Sequence, residues 1–567
     1  MFDNLKSKLD DALSWGWDDF APYYDDLLAR AVDGDSLEQW LGDWSSTSKL
    51  VMEVGSRLRV ATTVDTTDEE ASARYKAFMA NVFPKVQEKS FLLNKKLVDT
   101  GIVPEGMAIP MRRIRAEIEL FREENLPLFV QESDLGLAYN KLVGAQTVMW
   151  DGEEKTISQM SPVFLETDRS RREEAWKLIQ SRLREDREAQ NGLWRQLMAL
   201  RKQIGRNAGY DNYRDYIWQD KGRFDYTPEQ VLQFTSAIEE VVVPAAERLA
   251  EQRRQQLGLE TVRPWDTDVD PMNREPLKPF DSIDEFEQRT EAIFKQVDPE
   301  LGSQFATMRT EKLLDLGNRK GKGPGGYCTG FPVSERPFIF QNAVGVDRDI
   351  RTLLHEAGHA FHGFARYELP YAQQMGSPME FNEVASMAME LLAMPYITED
   401  NGGYYTAAEA ARSRIGHLEG IIKFWPYMAV VVEFQHWIYA NHDEATNPDA
   451  CDAKWLEIWN RFMTDIDFSG YEDYILNRWR RQLHIFRVPF YYIEYGLAQL
   501  GAVQVWANAL KDQAAALSQY RDALALGGTV TLPQLYETAG ARLAFDADTL
   551  RTYIDLIEGT IGELEAI

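Results

Sequence analysis

His355-Glu356-Ala357-Gly358-His359 carries two imidazoles four residues apart with a carboxylate between them. On an α-helix that spacing stacks both rings on one face, where they can reach a single metal ion. Glu356 then projects beside the ion, placed to take a proton from water. The flanks fit a helix, because Arg351-Thr352-Leu353-Leu354 and Ala360-Phe361-His362-Gly363-Phe364-Ala365 continue with apolar residues at helical spacing. The competing account is two ordinary histidines on a core-facing helix.

A second segment weighs against that account. Zinc in hydrolases takes three protein ligands and keeps one position open. Ser377-Pro378-Met379-Glu380-Phe381-Asn382-Glu383-Val384-Ala385-Ser386-Met387-Ala388-Met389-Glu390-Leu391-Leu392 reads as a helix opening after Pro378, with small and apolar residues on its packed face. Acids on such a helix are costly unless paired or bound to metal. Glu383 is the natural third ligand, with Glu380 and Glu390 on a similar face as alternative ligands or as partners behind the ligands. His362 lies seven residues after His355, about 10 Å along the helix, too far to share one ion, and reads as a packed or supporting histidine. Position 365 is Ala365, so the more distant third histidine of the metzincin pattern is absent. The expectation is one Zn2+ per chain, held by His355, His359 and Glu383.

With these residues in hand the chain resembles the thimet oligopeptidase and oligoendopeptidase F family, in the bacterial branch that includes Pz-peptidases. The resemblance is carried by His355 through His362 and by Phe381-Asn382-Glu383-Val384-Ala385-Ser386. It is also carried by Lys322-Gly323-Pro324-Gly325-Gly326-Tyr327-Cys328, by Pro337-Phe338-Ile339-Phe340-Gln341-Asn342, and by the stretch from His484 to Gly496. It is specific from about residue 200 onward and general before that. It implies a mostly α-helical, two-lobed metallopeptidase with a deep substrate channel and a small sheet whose edge strand lines the channel. It also implies a histidine and tyrosines that donate to the carbonyl oxygen as charge develops on it. Their best match is His484 with Tyr492 and Tyr495, chosen from a cluster that includes Tyr491. The His484–Tyr495 stretch is less glycine-rich than its thimet counterpart.

Composition agrees with that picture. The 567 residues suffice for a large core and two lobes, drawn as residues 1–195 and a catalytic domain of residues 196–567. Two widely separated cysteines, Cys328 and Cys451, point to a reducing compartment and to buried hydrophobes rather than nucleophiles. The first ten residues have no apolar signal region and no long apolar run follows, so a cytoplasmic protein with no membrane partner is expected. The formal charge of −28 opposes nucleic-acid binding and reads as an acidic, solubilising surface.

Along the chain, residues 1–50 read as acidic, Trp-rich helices. Thr66-Thr67-Asp68-Glu69-Glu70 reads as a capped helix start, and helices break near Gly101–Gly106. Residues 141–150 and 153–157, separated by Asp151-Gly152, read as a β-hairpin, and a charged helix begins at Asp168. Residues 258–281 form a long loop whose aspartates lack the glycine and final glutamate of a calcium loop. The glycines from Gly321 to Gly326 lack the Gly-Lys-Ser/Thr ending of a phosphate loop, and Tyr327–Phe340 reads as strands. His417, His436 and His442 have no convergent partners in sequence.

The function these readings support is zinc-dependent hydrolysis of internal bonds in short, unstructured peptides, with Glu356 as general base and proton shuttle. The alternatives are a dipeptidyl- or carboxypeptidase on the same scaffold and a non-catalytic peptide binder. The exopeptidase would need a cation for the substrate carboxylate, with Arg480, Arg481 or Arg487 to serve. The intact Glu356 argues against the binder.

Overall fold

The computed structural model describes residue 2 and residues 4–567. It is mostly α-helical with two small sheets. Helix α1 (Leu37–Val64) buries Trp40, Trp44, Leu50 and Val54 in a core formed among residues 2–114. The helix Glu69–Asn81 starts where expected, with the Asp68 carboxylate accepting from the Ala71 N–H. Gly101 and Gly106 both take left-handed backbone conformations in the following break.

The hairpin forms over a shorter span than its composition suggests. Strands β1 (Thr147–Trp150) and β2 (Glu153–Thr156) pair antiparallel around Asp151 and Gly152, both at positive φ. Residues 141–144 instead complete the helix Leu126–Gly144. Their β-branched and small residues lengthen an existing helix at little cost, so packing overrides strand propensity. Asp168 caps the helix Arg169–Glu185 through the N–H groups of Ser170 and Arg171.

Helix α2 (Tyr213–Asp220) stops at Lys221, and Gly222 at φ +66° turns the chain towards Arg223. A glycine is required there because a side chain at that φ is strained. Helix α3 (Pro228–Leu257) follows, opened by a Thr227–Gln230 capping box. Residues 258–281 form the expected loop, interrupted by one short turn at Pro264–Asp266. Asp266 is not solvated: it is buried and receives Arg169 and Arg172 at 2.8 and 3.1 Å.

Strands β3 (Leu314–Gly317), β4 (Tyr327–Phe331) and β5 (Arg336–Ala343) form a sheet in the order β3-β5-β4. Strand β3 runs parallel and β4 antiparallel to β5. In the glycine-rich loop Lys322 donates to Asp315 and to the carbonyls of Asp315 and Gly317, so its ammonium ties the loop to β3.

Helix α4 (Asp347–Arg366) opens on Asp349, whose carboxylate accepts from the N–H groups of Val344, Gly345 and Val346. Helix α5 (Met379–Ala393) starts directly after Pro378 and crosses α4 at Gly358. A Cβ at Gly358 would stand 2.6 Å from the Ala385 carbonyl oxygen and 2.7 Å from Ser386 Cα. Only glycine permits that crossing. Helix α6 (Ala407–Ala440) and helix α7 (Tyr492–Ala509) complete the surroundings, and the main core joins them to α4, α5 and the final helix, α8 (Ala547–Glu565). Among the described residues no helix is long and apolar enough to cross a membrane.

Candidate active site

The α4–α5 crossing brings His355, His359 and Glu383 together. Glu383 Oε2 lies 3.5 Å from His355 Nε2 and 3.7 Å from His359 Nε2. Donor atoms of all three residues lie within 4.8 Å of one another. Tetrahedral zinc with ligand bonds of about 2.0–2.1 Å needs its ligands roughly 3.4 Å apart, so the donor set fits such an ion with little movement. Glu356 is buried on the same helix, and the Cys328 main chain of β4, at the sheet edge, is close enough to lower its pKa.

The three acids of α5 have different surroundings. Glu383 joins the histidines. Glu390 lies behind His355, with Oε1 2.7 Å from its Nδ1 and Oε2 3.1 Å from His417 Nε2 on α6. Glu380 turns away, accepting from the Tyr226 hydroxyl and lying 3.5 Å from Arg223 Nε. His417 therefore does have a convergent partner. No short-range pattern reveals it, because Glu390 is 27 residues away on another helix. His362 is buried with Nε2 3.1 Å from Ser377 Oγ, the packed position expected of it. His436 is buried with neither ring nitrogen hydrogen-bonded, and His442 meets the Met198 carbonyl at 2.8 Å.

Electrostatics sort the roles further. Burial pushes His359 down to about 3, helped by the charge of His355, so its imidazole is neutral and ready to ligate. At His355 burial opposes charge, but the hydrogen bond and charge of Glu390 prevail and raise it to about 9. Burial lifts Glu356 to about 7 against the pull of His355, and burial also raises Glu383. A divalent cation between them offsets that desolvation, which is a second sign that the residues fit a metal. Glu390 is held at about 2: burial works against its charge, and the hydrogen bonds from His355 and His417 outweigh it.

The aromatic cluster sits at the start of α7. His484 Nδ1 lies 2.7 Å from Gln482 Nε2, and Gln482 Oε1 accepts from the Tyr427 hydroxyl at 2.8 Å. That chain fixes the amide, so Nδ1 accepts and the ring proton sits on Nε2. The Tyr491 hydroxyl lies 3.5 Å from Glu383 Oε1, and the Tyr495 ring stands 5.3 Å from that of Tyr491. Burial and the charge of Glu383 raise Tyr495 to about 12. Tyr492 packs against His484 at 4.7 Å between ring centres, and against Phe424 and Tyr427 at 5.8 and 6.2 Å. Tyr491 and Tyr495 thus share the face turned to Glu383, a pairing legible as an i, i+4 spacing. Phe490, just before them, is held at φ +61° by Arg223 on its carbonyl and Gln435 on its N–H.

The model of peptidase family M3 matches residues 164–554. The chain belongs to peptidase family M3. It is therefore a metallopeptidase whose substrates are peptides. Its fold is similar to that of Pz peptidase A solved with an inhibitor, at 26% identity and a TM-score of 0.86 over 98% of each chain. It is also similar to an oligoendopeptidase F structure at 25% identity and a TM-score of 0.84, covering 100% of this chain and 98% of that one. A Bacillus anthracis str. Ames structure described as oligoendopeptidase F, at 24% identity and TM-score 0.82 over 98% and 97% of the two chains, shares the fold. Comparison with curated proteins returns no significant match.

Proposed function

We propose that this peptidase is a zinc endopeptidase that cuts internal bonds of short, unstructured oligopeptides in the cytoplasm. The observation that carries the reading is the convergence of His355, His359 and Glu383 with a buried Glu356 on the same helix turn. A zinc ion on those three residues supplies a Lewis acid for the scissile carbonyl and for the attacking water. Glu390, itself held by His417, fixes the ring of His355 and the tautomer in which its Nε2 is the ligand atom.

Glu356 takes the proton of the water as its oxygen attacks the carbonyl carbon. It then passes that proton to the departing amide nitrogen, so the C–N bond breaks to give a carboxylic acid and an amine, and transfer of the second water proton to the amine leaves a carboxylate and an ammonium. The burial of Glu356 beside the two histidines places one carboxylate to serve both halves of the cycle. The hydroxyls of Tyr495 and Tyr491 and the Nε2 proton of His484 are the donors for charge gathering on the carbonyl oxygen. The contacts of the partly buried Tyr492 ring with His484, Phe424 and Tyr427 support a part for it in holding His484. Strand β4 has its outer edge unpaired among the described residues, and a peptide can lie along it through main-chain hydrogen bonds that ignore sequence. The two free cysteines fit a reducing compartment.

The test uses peptides of graded length, acetylated and amidated at their ends, with cleavage sites mapped by mass spectrometry. Internal cuts that vanish on chelation and return with zinc are expected. Stepwise trimming confined to free-ended peptides would replace this reading with an exopeptidase, and hydrolysis indifferent to chelation would remove the metal.

A further inference from the structure

Of the arginines that the sequence offers as carboxylate receptors, Arg480 and Arg481 are engaged elsewhere, while Arg487 keeps a buried Nη1 with no hydrogen-bond partner among the described residues. Arg480 is buried against Asp452 at 2.6 Å and Asn191 at 2.8 Å. Arg481 donates to Gln146, and Arg487 packs on Gly136 so closely that a Cβ there would meet its Nε at 2.6 Å.

A different cation faces the tyrosines. Lys221 ends α2 immediately before the Gly222 turn. Two residues on, Arg223 donates to the Phe490 carbonyl and pairs with Glu494 at 2.6 Å, which pins this loop to the start of α7. The pin delivers Lys221 Nζ to 5.4 Å from the centre of the Tyr491 ring. The hydroxyl of that ring is 3.5 Å from Glu383. Lys221 also stands close enough to His484 for its charge to help lower that imidazole. Among the described residues its ammonium has no hydrogen bond and no acid within ion-pairing distance: of the acids whose charge reaches it, Glu494 and Glu380 are turned to Arg223, and Asp220, its chain neighbour, makes no ion pair with it. It is half-buried, with much of its water removed. A desolvated ammonium without a protein carboxylate has an unmet demand for an anion, and peptides carry carboxylates.

We propose that Lys221 binds a carboxylate of the peptide beside Tyr491, making it a selectivity residue for acidic groups near the cut bond. This rests on the reading of the site as peptide-hydrolysing. The carboxylate comes from the free C-terminus of a short peptide or from an aspartate or glutamate side chain. The C-terminal source would also set a short length limit without abolishing internal cleavage.

The experiment compares one peptide sequence in four forms: free C-terminus, C-terminal amide, and amides with glutamate or glutamine downstream of the cut. The wild-type enzyme should favour a carboxylate form by about tenfold in kcat/KM, mainly through KM, as expected for a lost charged hydrogen bond. The pair that shows the preference names the source. In Lys221→Met the ratio should fall to about one, and Lys221→Arg should restore most of it. Lys221 would be overturned by a ratio that persists in Lys221→Met. A uniform fall in kcat on all four peptides would do the same, since it would mean the lysine only tunes Tyr491. Binding of the four peptides to Glu356→Gln, with and without Lys221→Met, reads the same ratio without turnover. If no peptide is hydrolysed, the reaction reading fails while the binding ratio still decides on Lys221.

Discussion

Glu390 Oε2 lies 3.1 Å from His417 Nε2, while its other oxygen lies 2.7 Å from Nδ1 of His355. A carboxylate shared in this way between the proposed ligand His355 and a distant helix ties α6 to the proposed metal site. Replacing His417 by Phe keeps the volume near α5 and α6 but leaves one oxygen of a buried carboxylate unpartnered. Zinc affinity should fall about 10–100-fold with the helical fold retained. Chelator competition followed by circular dichroism checks this, and an unchanged affinity would make the contact incidental.

His359→Ala and Glu356→Gln should separate metal from chemistry. The first removes one of three converging donors, and metal content and activity should disappear together. The second keeps all three donors and removes only the group that accepts the proton, so zinc stays while kcat drops by several powers of ten. Metal analysis alongside single-turnover kinetics reads both. Near-normal turnover in Glu356→Gln would sink the mechanism.

The three tyrosines should answer differently. Tyr495→Phe and Tyr491→Phe each remove a hydroxyl from the face turned to Glu383, and kcat should fall roughly a hundredfold with little change in KM, the usual scale for an oxyanion donor. Tyr492→Phe should stay within a few-fold, because its ring lies against Phe424 and Tyr427. Equal kinetics for all three would return them to the core.

Glu494 supplies a pH signature away from the metal. Burial raises it from 4.5 to about 7, against the opposing pull of Arg223. Between those values the folded protein keeps a proton that the unfolded chain has lost, so stability falls as pH rises through that window. Melting temperatures from pH 5 to 8 should therefore decline more steeply for the wild type than for Glu494→Gln. Parallel curves would mean that Glu494 is ionised throughout.

Much of the helical frame was legible because local chemistry wrote it. Asp68 and Asp168 cap the helices they announce, Pro378 opens α5, and two imidazoles four apart need a helix. What stayed hidden is long-range. His417 meets Glu390 across separate helices. Lys221 reaches Tyr491 only because Arg223 pins a loop some 270 residues away in sequence. The sequence does not decide between Tyr491 and Tyr492, because the helix register is not fixed at its first turn, where one residue rotates a side chain by about 100°. The hairpin began six residues late for a related reason: Lys141–Gly144 suits either structure, and the preceding helix claimed it.

The contact of Gly358 with Ala385 and Ser386 sets backbone against backbone, with no side chain between to yield. Chemistry and taste are therefore separable traits in this molecule. The crossing that aligns the proposed metal ligands is closed to drift, since even one methyl group there would spread α4 from α5. The turn that presents Lys221 lies outside that crossing and can change its end group without disturbing it. Exchanging the residue at 221 is therefore expected to change which peptides are accepted while leaving the α4–α5 crossing intact.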